Sequence, residues 1–245
     1  MRRFALPVAV LALLASATSA GAAQNAWLVE CGSALGQADR FAEFKGRMRA
    51  IPGAERLLMR FTLQMRDEGS PRWRALPPLV LGRWMSSDPA VSRYVYTKRV
   101  ENLVAPAGYR AVVRFRWLDE RGRRLAAGRA VSPACLQADL RPNLHPLDIR
   151  VQRGPAAARA TYVIPVANRG RTAVDAFELV LTVDGQALPL QSVDAMAPGE
   201  RRVVIVEGPR CQPGSSLAVD LDPSGAVDER VEVDNRLTRP CPTLS

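Results

Sequence analysis

The sequence predicts an all-β fold, with two β-sandwich domains in tandem after a signal peptide. Three observations carry that expectation. Apolar and polar residues alternate over short runs, which is the period of half-buried strands. Nineteen prolines and seventeen glycines punctuate those runs and mark turns. In the second half the turns recur every 8–12 residues or so, the spacing of a sandwich, with no helical periodicity beyond two turns.

The first element is the signal segment, residues 1–23. Arg2 and Arg3 form a positive start, residues 4–15 are apolar apart from Pro7, and Ser19, Ala20, Gly21, Ala22 and Ala23 are small. This is the three-part pattern of a secretory signal peptide, with cleavage expected after Ala22 or Ala23. The apolar run is shorter than the ~20 residues that span a bilayer. Glu30 before Cys31 does not fit a lipoprotein cleavage box, and Pro242 to Ser245 carry no sorting signal. The expected location is therefore secreted, extracellular or cell envelope, with no membrane span after cleavage.

Residues 24–141 form the expected first domain. Residues 27–31 read as a strand. Residues 33–53 mix Gly, Ala and charges and read as a loop or short helix. Met59, Phe61, Leu63 and Met65 alternate with Arg60, Thr62, Gln64 and Arg66 as a half-buried strand. The turn 67–71 follows. Residues 79–84 read as a strand with Trp84 in the core, and residues 92–103 as another. In the strand 109–118, Tyr109, Ala111, Val113, Phe115 and Trp117 share one face. Arg110, Arg114 and Arg116 share the other with Val112. Pro106 just before Tyr109 resembles the tyrosine corner of immunoglobulin-like sandwiches. A hairpin turn at 119–122 leads into a closing strand, 124–131.

Residues 142–147, with Pro142, Asn143 and Pro146, read as an interdomain linker. The second domain, 148–241, shows strands at 147–153, 161–167, 177–183, 187–193, 201–206 and 216–221. Asp184-Gly185 is a strong hairpin signal.

Four cysteines in an oxidising compartment point to two disulfides rather than a metal or redox site, because no C-x-x-C spacing occurs. Three pairings are open. Cys31–Cys135 with Cys211–Cys241 is preferred, because each bridge then lies within one half.

Charge divides the halves. Residues 24–141 carry 21 Lys+Arg against 11 Asp+Glu, while residues 142–245 carry 11 against 13. Such a split points to an anionic partner. Thirty-two of the 34 basic residues are Arg, so composition alone also accounts for it. The candidate ligand-binding residues are Arg110, Arg114 and Arg116, whose guanidinium groups suit bidentate contact with carboxylates or phosphates. The competing reading is a solvated sheet face. Nucleic acid is excluded by the export signal and the lack of interleaved exposed aromatics.

No catalytic constellation is expected. His145 stands alone in the linker, where neither a triad nor a His-rich metal site can form. Asp119-Glu120 and Asp228-Glu229 are adjacent pairs in turns, not carboxyls facing across a cleft. Asp220-x-Asp222-x-Ser224-Gly225 imitates the start of a calcium loop, but its twelfth position is Val231 where a Glu is needed. No metal and no cofactor are expected.

Four motifs then point to a family. Val166-Ala167-Asn168-Arg169-Gly170 resembles a V-x-N-x-G corner, and Val183-Asp184-Gly185 a V-D-G hairpin. Ala197-Pro198-Gly199-Glu200 is similar to L-x-x-G-E. Val219-Asp220-Leu221-Asp222-Pro223, Val227, Glu229, Glu232 and Asn235 resemble a closing V-D-P … V-x-E … E-x-N-N. Together, over residues 148–239, they resemble CARDB, the cell-adhesion-related domain of bacteria. Asp234 departs from the final Asn pair, and the Cys211–Cys241 bridge is an addition. The resemblance implies a seven-stranded immunoglobulin-like sandwich on an exported protein, and no catalytic site. The expected function is a non-catalytic adhesion or interaction module of the cell surface. Its partner would be an anionic cell-envelope polymer or a surface protein. The alternatives are an accessory stalk without its own ligand, or a carbohydrate-active hydrolase with a carboxylate site in the first domain.

Overall fold

The computed structural model describes residues 24–77 and 81–243. The expected signal peptide and residues 79 and 80 of the expected 79–84 strand lie outside these. The chain folds into two antiparallel sandwiches of immunoglobulin-like type.

In the first domain, β1 (Gln24–Gly32), β2 (Phe41–Arg49), β3 (Arg56–Asp67), β4 (Arg74–Ala75), β5 (Met85–Ser86), β6 (Arg93–Glu101), β7 (Ala107–Leu118), β8 (Arg124–Val131) and β9 (Cys135–Gln137) form two sheets. One has the order β1-β2-β6. The other has the order β4-β3-β7-β8, with β5 on β3 and β9 on β7. The period-two pattern dictates the packing: Leu57, Met59 and Phe61 from β3 meet Tyr109, Val113, Phe115 and Trp117 from β7 in a core closed by Phe44 and Met48. The Tyr109 hydroxyl accepts from the Val104 N–H and donates to the Val104 carbonyl, both at 2.9 Å, so the tyrosine corner is formed.

Two elements differ from the sequence reading. Residues 41–49, read as loop or short helix, are the central strand β2. Its buried positions are Ala42, Phe44, Gly46 and Met48, and the small residues blur the apolar alternation. A Cβ at Gly46 would stand 2.9 Å from the Met59 sulfur, so a larger residue would make the packed side chains shift. Trp84 is not in the core. Residues 81–84 form no strand, and its ring lies beneath arginines on the outer face of the larger sheet.

The second domain runs β10 (Leu144–Pro146), β11 (Arg150–Arg153), β12 (Arg159–Asn168), β13 (Phe177–Val183), β14 (Gln186–Ala187), β15 (Gln191–Val193), β16 (Arg201–Pro209), β17 (Ser216–Leu221) and β18 (Arg236–Pro240). β12 pairs with β10, β11 and β16. The facing sheet is β14-β13-β17-β18, with β15 on β13. Tyr162, Ile164, Leu179, Leu181, Leu217 and Val219 fill the core. The linker expected at 142–147 is instead part of this domain: β10 pairs with 166–168 of β12. Pro146 is tolerated because β10 has a partner on one side only.

Both preferred disulfides are present. Cys31–Cys135 spans Cα atoms 5.4 Å apart, and Cys211–Cys241 6.1 Å.

Candidate binding surface

The twelve-residue pairing of β3 with β7 decides which side chains share the outer face of the first domain. In this register Arg60 stands opposite Arg114, Gln64 opposite Arg110, and Leu58 opposite Arg116. The β7–β8 register then sets Arg114 opposite Arg129. Three arginines from three strands thus form one row, Arg60–Arg114–Arg129. The sequence candidates Arg110, Arg114 and Arg116 do share this face. Arg60, Arg66 and Arg129, which the reading did not single out as ligands, join them.

Two tryptophans organise the ends of the face. The Arg66 and Arg110 guanidiniums lie 5.0 and 4.1 Å from the Trp73 ring centre. Those of Arg60 and Arg116 lie 5.1 and 4.1 Å from Trp84. Arg60 and Arg66 are six positions apart on one strand, so the two clusters are separated by about 20 Å. Each stack contributes roughly 0.5–2 kcal/mol depending on desolvation and holds the guanidiniums against a planar surface.

The charge on this face is uncompensated. Among the described residues, none of Arg60, Arg66, Arg110, Arg114, Arg116 and Arg129 has an ion pair with a carboxylate. Arg110 hydrogen-bonds the neutral Gln64 oxygen at 2.8 Å. Burial, with Arg129 and Arg66 beside it, pulls the Arg110 pKa below the usual arginine value. The Arg60 Nε is buried without a hydrogen-bond partner. Like charges directly opposite in a sheet destabilise it, and an arriving carboxylate or phosphate would relieve that repulsion.

Several carboxylates lie elsewhere and are engaged. A cleft of about 620 Å³ holds Asp67 and Glu68. Asp67 pairs with Arg74 at 3.6 Å, and Glu68 with Arg230 of the second domain at 3.8 Å. Asp119 accepts the Arg121 and Arg123 backbone N–H groups and Arg123 Nε within its hairpin. Asp228 pairs with Arg141 at 2.7 Å, and Arg141 also pairs with Asp139 at 2.9 Å, where it holds the Asp139 carboxyl below the usual range. Among the described residues no group of three or more His, Cys, Asp and Glu is arranged to hold a metal ion. Asp222 caps its own turn, accepting the Ala226 and Val227 N–H groups. His145 does not lie in a solvated linker. It sits in β10 with Nδ1 3.3 Å from Asp234.

The second domain's motif residues act as fasteners. The buried Asn168 amide accepts from the Asn143 and Gly170 N–H groups and donates to the Thr172 and Met196 carbonyls. A Cβ on Gly170 would lie 2.4 Å from the Pro142 backbone. Glu200 accepts the Ala197 N–H at 2.8 Å. Buried Glu229 accepts the Leu144 N–H and the Asn235 amide, tying β10 to the closing loop. Burial pushes its carboxyl up to about 7.

Comparison with known proteins matches this part of the chain to a family model. Residues 139–239 match the CARDB family model. No curated protein sequence matches the chain. Among solved structures, the chain is similar to the CARDB domain of a Pyrococcus furiosus protein in complex with di-metal ions, at 22% identity over 40% of this chain and 84% of that one, with a TM-score of 0.35. It is similar to a domain of a Methanosarcina acetivorans protein described as a cell surface protein, at 25% identity over 42% and 93%, with a TM-score of 0.37. A bacterial adhesin from Mobiluncus mulieris aligns over 90% of this chain and 93% of its own at 10% identity, with a TM-score of 0.32.

Proposed function

We propose, from the premise of a CARDB module over residues 139–239, that the chain is an exported, non-catalytic binding protein of the cell surface. Its first domain takes an anionic polymer on the Arg–Trp face. The observation that carries this reading is the Arg60–Arg114–Arg129 row, flanked by two tryptophan–arginine clusters and free of carboxylate partners among the described residues. A solvated face kept soluble by arginine has no need to align like charges across three strands, at a cost of roughly 0.2–1 kcal/mol per opposed pair. Guanidinium groups fixed by ring stacking are pre-ordered for bidentate contact with carboxylate or phosphate. Two disulfides and a signal-like start support export. The CARDB module supplies a mount, and its Arg230 pairs with Glu68 of the first domain at 3.8 Å.

The test is retention of the mature protein on purified cell walls. The walls are used before and after chemical removal of their anionic polymers, at low and high salt. The reading expects retention that needs the anionic polymer and falls with salt. Absent or salt-insensitive retention contradicts it and favours an accessory stalk.

A further inference from the structure

β16 is the feature of this chain that neither the fold nor the arginine face uses. It pairs with β12 on one side, and among the described residues no strand pairs its other side. Two other edges carry charge or cover. β18 carries Arg236, Arg239 and Pro240, and residues 81–85 lie beside Tyr96 and Lys98 of β6. β16 is nine residues long and exposes Val203 and Ile205, at 56% and 62%. An edge of this kind is a template for another strand.

The backbone direction can be read from the hydrogen bonds. In an antiparallel strand the N–H and C=O of one residue point the same way, and directions alternate along the chain. The Pro165 carbonyl accepts from Leu147, on the side of β12 away from β16. Val203, opposite Pro165, therefore points its backbone groups away from β12. At the two ends of β16, Asn168 donates to the Glu200 carbonyl and Arg210 to the Ala158 carbonyl, so the even-numbered residues bond toward β12. Arg201, Val203, Ile205 and Glu207 thus aim both their backbone groups at the free edge. The same four side chains lie exposed on the outer face.

This edge is complementary to itself. In an antiparallel pairing of two copies centred on Val204, Val203 meets Ile205 and Arg201 meets Glu207, each pair twice. Every edge-facing N–H and C=O from 201 to 207 gains a partner. Neither Arg201 nor Glu207 has an ion pair among the described residues. Half-buried Val163 and Pro165 beside them extend the apolar strip on each copy.

We propose that β16 is the interface through which two copies of this chain pair, antiparallel about Val204, joining their second-domain sheets into one. The partner is a second copy because its charge and apolar order match residue for residue.

The test is sedimentation equilibrium of the mature chain from micromolar to near-millimolar concentration. A reversible dimer is expected. Ile205→Pro removes an N–H that faces the edge and not β12, so the domain keeps its ladder and the dimer is lost. Glu207→Arg sets like charges at both ends and weakens the dimer about tenfold or more. Combining Arg201→Glu with Glu207→Arg restores it. Circular dichroism and thermal melting of each variant confirm the fold, and Glu207→Arg, a surface change, keeps the test open if the proline variant does not fold. A parent chain monomeric at every concentration overturns the proposal. So does a dimer indifferent to Ile205→Pro and Glu207→Arg, or a charge swap that fails to restore pairing. None of these readouts involves a polyanion, so they stand apart from the test of the arginine face.

Discussion

Arg60 and Arg114 stand directly opposite each other across the β3–β7 pair, and Arg129 continues the row on β8. A fold selected only for stability would place a carboxylate at one of these positions. Arg114→Glu does so. It turns two repulsive cross-strand pairs into attractive ones and is expected to raise stability by roughly 0.5–2 kcal/mol. The same change is expected to weaken binding of an anionic polymer. Urea unfolding and a polyanion titration on one preparation check both outcomes.

The tyrosine corner gives an opposite pattern. Tyr109→Phe leaves the Val104 N–H and carbonyl without their hydroxyl partner. The expected loss is about 1–3 kcal/mol, read as a lower midpoint in urea, with polyanion affinity unchanged.

Glu229 makes stability depend on pH. Its carboxyl titrates at about 7 in the fold, against an ordinary value of 4.5. The native state therefore holds a proton that the unfolded chain has released across this window. Its contribution is fully present below the ordinary value and is lost as pH rises through about 7, on the order of 3 kcal/mol in all. Glu229→Gln removes that proton linkage. Between about pH 5 and pH 8 the parent should lose stability relative to Glu229→Gln, measured as the difference of their urea unfolding free energies.

The two bridges close loops of different length, 104 and 30 residues in sequence separation. In the chain-entropy account, removing a crosslink of ~100 residues costs about 4.7 kcal/mol, and a loop of 30 about 3–4. Replacing Cys31 and Cys135 by Ala should therefore lower the melting of the first domain more than the Cys211 and Cys241 change lowers that of the second. Calorimetry resolves the two transitions.

Much of this architecture was legible in residue order. Alternation in Met59 to Met65 and in Tyr109 to Trp117 marked β3 and β7, and Pro106 before Tyr109 marked the corner. Asn168, Gly170, Glu200 and Glu229 marked the second domain, because each fastens backbone that apolar packing leaves unpaired. What stayed hidden was set by contacts distant in sequence. β2 buries Ala42 and Gly46, and the small size of Gly46 only makes sense once Met59 and Phe61 are packed on it. Trp84 looked like core because nothing local shows that Arg60 and Arg116 will offer their guanidiniums. The row of Arg60, Arg114 and Arg129 depends on the register of strands some fifty residues apart, so only Arg110, Arg114 and Arg116, sharing one strand, could be read as a set.

The salt dependence of polyanion binding tests the central claim most directly. The chain is titrated with polygalacturonate at several salt concentrations, beside a variant carrying Arg60→Gln, Arg114→Gln and Arg129→Gln. The parent's log affinity is expected to fall linearly with log salt, and the variant to bind more weakly with a shallower slope. Equal affinity and slope for the two proteins would show that the arginine row is not the binding surface.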